Sequence, residues 1–160
     1  MSGYDVAQIC MNGHVIAKFA GRQPQFTQKF CAKCGQPTLM TCPACNTSIR
    51  GAFYSEYVFG EAHYDLPAFC INCGAPFPWT AQKLAVAREL AAELPNLTSD
   101  ERDQLTESLG DLVTESPKTA LAESRFKSLL RKAGAEALEG MRTILTDVLS
   151  DAVRKSLFGP

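Results

Sequence analysis

Phe30-Cys31-Ala32-Lys33-Cys34-Gly35-Gln36-Pro37 is matched further along the chain by Phe69-Cys70-Ile71-Asn72-Cys73-Gly74-Ala75-Pro76. The shared pattern is Phe-Cys-x-x-Cys-Gly-x-Pro. A turn of this kind aims two thiolates at one metal ion. The Gly after the second Cys permits a positive φ, which lets backbone N–H groups turn toward the sulfurs. A four-coordinate metal takes two such half-sites, so a repeat of this kind calls for partners elsewhere in the chain.

Two further half-sites are present. Cys42-Pro43-Ala44-Cys45 is followed by Asn46, a residue that tolerates the left-handed conformation. Cys10-Met11-Asn12-Gly13-His14 carries an Asn-Gly turn that folds Cys10 and His14 back toward each other. The chain's 7 Cys and His14 together make eight ligands, enough for two tetrahedral sites. The candidate metal ligands are therefore Cys10, His14, Cys31, Cys34, Cys42, Cys45, Cys70 and Cys73. The competing reading of His14 is a surface turn histidine. His63 is a weaker candidate, because it has no partner at knuckle spacing.

Three pairings of the half-sites are open: sequential, interleaved and nested. The repeat favours the sequential scheme, with Cys10, His14, Cys31 and Cys34 at one site and Cys42, Cys45, Cys70 and Cys73 at the other. Each unit then closes on the same Phe-Cys-x-x-Cys-Gly-x-Pro knuckle. Disulfides are the alternative use of these cysteines. The odd count, the Cys-x-x-Cys repeats and the lack of a basic stretch leading into an apolar run at the N-terminus argue against them. A reducing, cytoplasmic setting is expected. No apolar stretch approaches the roughly 18–20 residues that span a bilayer.

Val6 and Ile9, with Val15, Ile16 and Phe19, read as the strands of a hairpin. An aromatic-rich segment lies between Cys45 and Cys70. Phe53, Tyr54, Tyr57, Phe59 and Tyr64 can be imagined as a stacking surface for single-stranded nucleic acid. The stronger expectation is that they cover the metal sites of a small module. Charge points the same way. Residues 1–80 carry Lys18, Arg22, Lys29, Lys33 and Arg50 against Asp5, Glu56, Glu61 and Asp65. One Cys₃His zinc of about −1 and one Cys₄ zinc of about −2 bring the loaded module to a net charge near −2. A phosphate-binding module is clearly basic. Four protein ligands per ion leave no open position, so the sites read as structural and not catalytic. Iron in the Cys₄ site is the chemical alternative, but the neighbouring Cys₃His set suits zinc better.

The knuckles Cys31-x-x-Cys34-Gly35, Cys42-Pro43-x-Cys45 and Cys70-x-x-Cys73-Gly74 resemble the rubredoxin-type knuckles of the zinc-ribbon class. The opening half-site departs from that pattern, with three residues between Cys10 and His14. The arrangement looks like the double zinc ribbons of many bacterial proteins. It is also similar to a small uncharacterised bacterial family with a paired ribbon and a helical C-terminal tail. What the resemblance implies is two structural Zn²⁺ ions. It is specific for metal and says little of function, since such ribbons serve protein-binding, nucleic-acid-binding and scaffolding roles.

The tail contains no Cys. Trp79 closes the front module and packs where the helices begin, a ligand-stacking role being the lesser reading. Thr80 is the expected N-cap of a helix over residues 81–94, with Leu84, Ala87, Leu90 and Leu94 at helical spacing. Thr98-x-x-Glu101 is a capping box opening a second helix with Leu105, Leu109, Leu112 and Val113 on one face. Pro117 is expected at the first position of a third, carrying Leu121, Phe126, Leu129 and Leu130. Its cations Arg125, Lys127, Arg131 and Lys132 face the acidic second helix or solvent, an anion-binding patch being the minor alternative. Gly134 either ends that helix or sits inside a longer one. Residues 135–157 read as a last helix whose apolar stripe, from Leu138 through Met141, Leu145 and Leu149 to Leu157, needs neighbours on more than one side. That width suggests a central place in a bundle, or an oligomer or partner interface. A basic excess suited to a membrane surface is missing.

The expectation is an α+β chain: a double zinc ribbon over residues 1–79, then a tail of about four helices over 80–160. No catalytic constellation is legible, so no enzymatic activity is expected. The leading function is a zinc-stabilised adaptor that binds another protein or a second copy through its tail. A nucleic-acid binder is the disfavoured alternative, and a redox- or metal-responsive zinc switch is the third.

Overall fold

Short runs of β-branched and aromatic residues, broken by Gly, Pro and Asn, build the front of the molecule from short strands. The computed structural model describes residues 1–57 and 60–160. The strands are β1 (Gly3–Val6), β2 (Gln8–Cys10), β3 (Val15–Ala17), β4 (Thr38–Leu39) and β5 (Arg50–Tyr54). The helices are α1 (Pro78–Glu93), α2 (Ser99–Val113), α3 (Thr119–Ala133), α4 (Ala135–Leu145) and α5 (Asp151–Phe158). The fold is α+β with a helical C-terminal part. The chain divides into two compact units, Met1–Thr80 and Ala81–Pro160. No helix among the described residues is long and apolar enough to cross a membrane.

In the first unit β2 lies between β3 and β4, antiparallel to both, while β1 pairs antiparallel with β5. This corrects part of the expected hairpin. Ile9 and Val15 do face each other across β2 and β3, but Val6 belongs to β1, and Phe19 lies past the end of β3. The chain changes sheets at Ala7, whose N–H donates to Ile49 O at 2.9 Å. Gly51 sits where backbones converge. A Cβ there would lie 2.4 Å from Lys18 O and 2.8 Å from Val6 C, so only Gly fits.

The core of this unit is Ala7, Ile9, Cys42, Ile49, Cys70, Phe77 and Trp79, with Leu39, Cys45, Tyr64 and Leu66 packed around it. Two of its seven buried members, Cys42 and Cys70, are candidate ligands, so the apolar core and the second candidate donor group share side chains. Trp79 is fully buried, stacks on Phe77 with ring centroids 4.6 Å apart, and donates its indole N–H to Pro67 O. That burial excludes the ligand-stacking role. Thr80 is not an N-cap. Helix α1 starts two residues earlier, with Pro78 first, a position where Pro's missing N–H costs nothing. The Thr80 hydroxyl donates instead to Ala68 O at 2.8 Å.

In the second unit the capping box forms as expected: Glu101 N donates to Thr98 Oγ1, and Thr98 N to Glu101 Oε2. Lys132 reaches the same carboxylate, so one cation of α3 does meet the acidic α2. Gly134, at φ +112°, ends α3 and starts α4. Pro117 lies outside α3, which begins at Thr119 after Ser116 N has bonded to Thr119 Oγ1.

The last segment is two helices, which gives five in place of about four. Thr146 ends α4, and Ser150 caps α5 by accepting from Val153 N at 3.3 Å. This break explains the wide stripe. Met141 and Leu145 on α4, Val148 and Leu149 in the turn, and Val153 and Leu157 on α5 are all buried within the described chain. A straight helix could not bury all six against one side.

Candidate metal centres

Three of the four half-sites repeat one backbone device. In each, the N–H of the residue after the second Cys donates to the carbonyl of the first: Gly35 to Cys31, Asn46 to Cys42 and Gly74 to Cys70, at 2.8–2.9 Å. The N–H of each first Cys then closes a wider loop, from Cys31 to Gln36 O, Cys42 to Thr47 O and Cys70 to Ala75 O. The closing residue has φ +72°, +61° and +72° at Gly35, Asn46 and Gly74 respectively. Flanking bridges Phe30–Pro37, Thr41–Ser48 and Phe69–Pro76 pin the arms of each turn. The Phe and Pro of the repeated octapeptide are therefore the two ends of one miniature hairpin.

The opening half-site is one residue tighter. Gly13 N donates to Cys10 O, and Cys10 N donates to His14 O. The left-handed residue is Gly13, at φ +88°, while Asn12 keeps an ordinary negative φ. The turn thus closes before the second ligand, and the longer imidazole of His14 makes up the reach. His14 N also donates to Cys10 Sγ at 3.3 Å, a bond that favours the thiolate.

The structure gathers the donors as the sequential scheme groups them. Cys10, His14, Cys31 and Cys34 present ligand atoms within 4.8 Å of one another, and so do Cys42, Cys45, Cys70 and Cys73. The spacings test the fit to a tetrahedral ion. Zinc–sulfur bonds of about 2.3 Å put sulfurs about 3.8 Å apart, and a sulfur and an imidazole nitrogen about 3.6 Å apart. The observed Sγ–Sγ separations are 3.7 Å for Cys10–Cys34, 3.8 Å for Cys42–Cys73 and 3.6 Å for Cys45–Cys70. His14 Nδ1 stands 3.4 Å from Cys10 Sγ and 3.6 Å from Cys31 Sγ. All seven cysteines are free, and these separations are far from the roughly 2.05 Å of a disulfide. The two groups can hold metal ions.

Electrostatics split the thiols of these groups: burial raises Cys10 and crowding raises Cys73, while hydrogen bonds lower Cys31, Cys45 and Cys70. Burial pushes the Cys31 thiol up, but the N–H groups of Lys33 and Cys34 outweigh it and hold the thiol at about 6. The side chains of Thr47 and Asn72 hold Cys45 at about 6. At Cys73 the N–H of Ala75 pulls downward, yet desolvation and the facing sulfurs of Cys45, Cys70 and Cys42 push it up to about 11. Four thiolates this close cannot all ionise unaided, whereas a divalent cation among them removes the conflict. Thr47 and Asn72 were not singled out from the sequence. Their only signal is a polar residue within, or just beyond, a knuckle.

Other candidate residues stand apart from these groups. His63 is exposed and paired with Asp65 at 2.9 Å. Tyr64 donates to Arg50 O, and burial raises its phenol to a direction well above the ordinary value. Tyr4, Phe53 and Tyr57 are exposed, while Phe59 lies outside the described residues.

Residues 3–157 match the model of a family described as an uncharacterized protein conserved in bacteria (DUF2321). No curated protein and no solved structure matches the chain.

Proposed function

The chain belongs to this bacterial family, and from that premise and the donor geometry we propose a non-enzymatic double zinc ribbon that serves as a protein-binding adaptor. The observation that carries the reading is the closure of both donor groups. Each offers four protein ligands at tetrahedral separations, so a bound ion keeps no vacant position for a substrate. The donor sets Cys₃His and Cys₄ are those of structural zinc. Zinc supplies binding energy that a unit whose central apolar cluster has seven buried residues cannot draw from apolar burial alone, on the order of 10–16 kcal/mol per ion. The adaptor role rests on the second unit, where Leu121 on α3 and Val86 on α1 stay exposed although their helices bury other apolar residues.

Two measurements test this. Metal analysis of the purified full chain should return two zinc ions per chain, and a folded, metal-free chain overturns the zinc reading. Affinity capture should recover one and the same protein with the wild type, and lose it with Leu121→Asp at unchanged zinc content. Recovery unaffected by the substitution overturns the docking role of the tail.

One observation favours nucleic acid as a second reading. Tyr4 and Phe53 form an exposed edge-to-face pair at 5.2 Å, with the Arg50 guanidinium 4.6 Å from the Tyr4 ring. Arg22 lies 3.5 Å over Tyr54 on the neighbouring strand residue. Salt-sensitive retention on single-stranded DNA or RNA would support it, and no retention at low salt removes it.

A further inference from the structure

The two donor groups differ in how they meet solvent. In the first, Cys10 and Cys31 are buried, and Cys34 and His14 are half-buried. In the second, Cys42 and Cys70 are buried and Cys45 is half-buried, but Cys73 is exposed. The second group is also the more electron-rich, with four thiolates against three and a neutral imidazole. No cation lies inside either of its knuckles, whereas Lys33 lies inside the Cys31 knuckle. Nucleophilic sulfur that is both exposed and electron-rich is where oxidants react.

We propose that the Cys42, Cys45, Cys70, Cys73 group is the chain's peroxide-reactive site, with Cys73 as the attacked sulfur and Cys42 as its disulfide partner. This rests on the zinc reading and adds a site of modification to it. In the first step the Cys73 thiolate attacks one oxygen of hydrogen peroxide. The O–O bond breaks, a S–OH group forms, and the released hydroxide takes a proton to become water. In the second step the Cys42 thiolate, 3.8 Å away, attacks the Cys73 sulfur. The S–S bond forms, the S–O bond breaks, and the second hydroxide leaves as water after protonation. Two electrons pass from the two sulfurs to the peroxide. Only Cys45 and Cys70 remain as donors in that group, too few to retain the ion, while the first group keeps all four.

The same step has a built-in reporter. Cys42 and Cys70 belong to the apolar cluster that buries Trp79, the only tryptophan of the chain. Drawing Cys42 toward Cys73 and emptying the group loosens that cluster. Trp79 emission therefore changes as the second ion is lost.

The experiment is a hydrogen peroxide titration of the zinc-loaded full chain, followed by native mass spectrometry, disulfide mapping and tryptophan fluorescence. The expected result is loss of one zinc of two, a Cys42–Cys73 disulfide, and a change in Trp79 emission in step with that loss. Reductant plus zinc should reverse all three. The variant Cys73→His keeps four donors without an oxidisable outer sulfur, and its zinc release should slow at least tenfold. His63→Ala, outside both donor groups, should leave the release rate unchanged. Simultaneous loss of both ions, prior loss from the first group, or a different disulfide overturns the proposal. So does retention of both ions at peroxide levels that oxidise a free thiol. If Cys73→His fails to load, the disulfide map of the wild type decides. A protein that starts with fewer than two zinc ions fails the zinc reading instead, and the starting mass distinguishes the two failures.

Discussion

Gly51 shows how a single residue without a side chain holds the first unit together. Its neighbours are backbone atoms of Lys18 and Val6, which cannot swing aside as a flexible side chain would. Gly51→Ala should destabilise the first unit by about 1–3 kcal/mol through forced backbone shifts, read as a lower midpoint in a denaturant titration followed by Trp79 fluorescence. An unchanged midpoint would show that the strands yield at no cost. At this scale the grouping of the candidate ligands was legible because knuckle chemistry is local: two sulfurs, a fixed gap and a residue that accepts positive φ. The dipeptide Asn12-Gly13 offers two residues that accept positive φ, and the turn that brings Cys10 and His14 together uses one of them, Gly13. Gly51 itself carries no such local signal, since what forbids a Cβ there comes from residues far away in sequence.

Helix ends decide the second unit. Glu101 serves both the Thr98 cap and Lys132, and the ammonium of Lys132, followed by the N–H of Thr98, holds its carboxyl below the ordinary value. A carboxyl lowered on folding contributes stability above its unfolded pKa and loses it as pH falls through its folded pKa. Acidification from pH 6 toward pH 3 should therefore lower the thermal midpoint of the wild type more than that of Glu101→Gln. Proton-driven loss of zinc is common to both proteins and cancels in the comparison. Equal pH dependence would contradict the role given to Glu101. The capping box was readable because all its parts lie within four residues. The break between α4 and α5 was overlooked, although Ser150 followed by Asp151 is itself an N-terminal signal. A continuous apolar pattern masked it. Leu145, Val148 and Leu149 sit at helical spacing even though the chain turns there, because both the helix and the turn face one interior.

At the scale of the molecule, the division between a cysteine-bearing front and a helical back follows from where the cysteines stop. Pairing among the strands was less legible. β1 meets β5 across more than forty intervening residues, and runs of two to five residues carry too little pattern to specify such a partner. The two units should respond differently to metal removal. A strong chelator should shift Trp79 emission toward that of a solvated indole, because its cluster contains Cys42 and Cys70. Most of the far-ultraviolet helical signal should persist, since α2 to α5 lie wholly in the unit that contributes no ligand. Parallel loss of both signals would show one cooperative structure in place of two.

The claim beneath all of this is that seven sulfurs and one imidazole surround two ions. X-ray absorption at the zinc edge of the purified full chain tests it most directly. The account predicts an average first shell of about 3.5 sulfurs near 2.3 Å and about half a nitrogen near 2.0–2.1 Å per zinc. A shell dominated by oxygen or nitrogen, or sulfurs joined to one another with no metal among them, would contradict it.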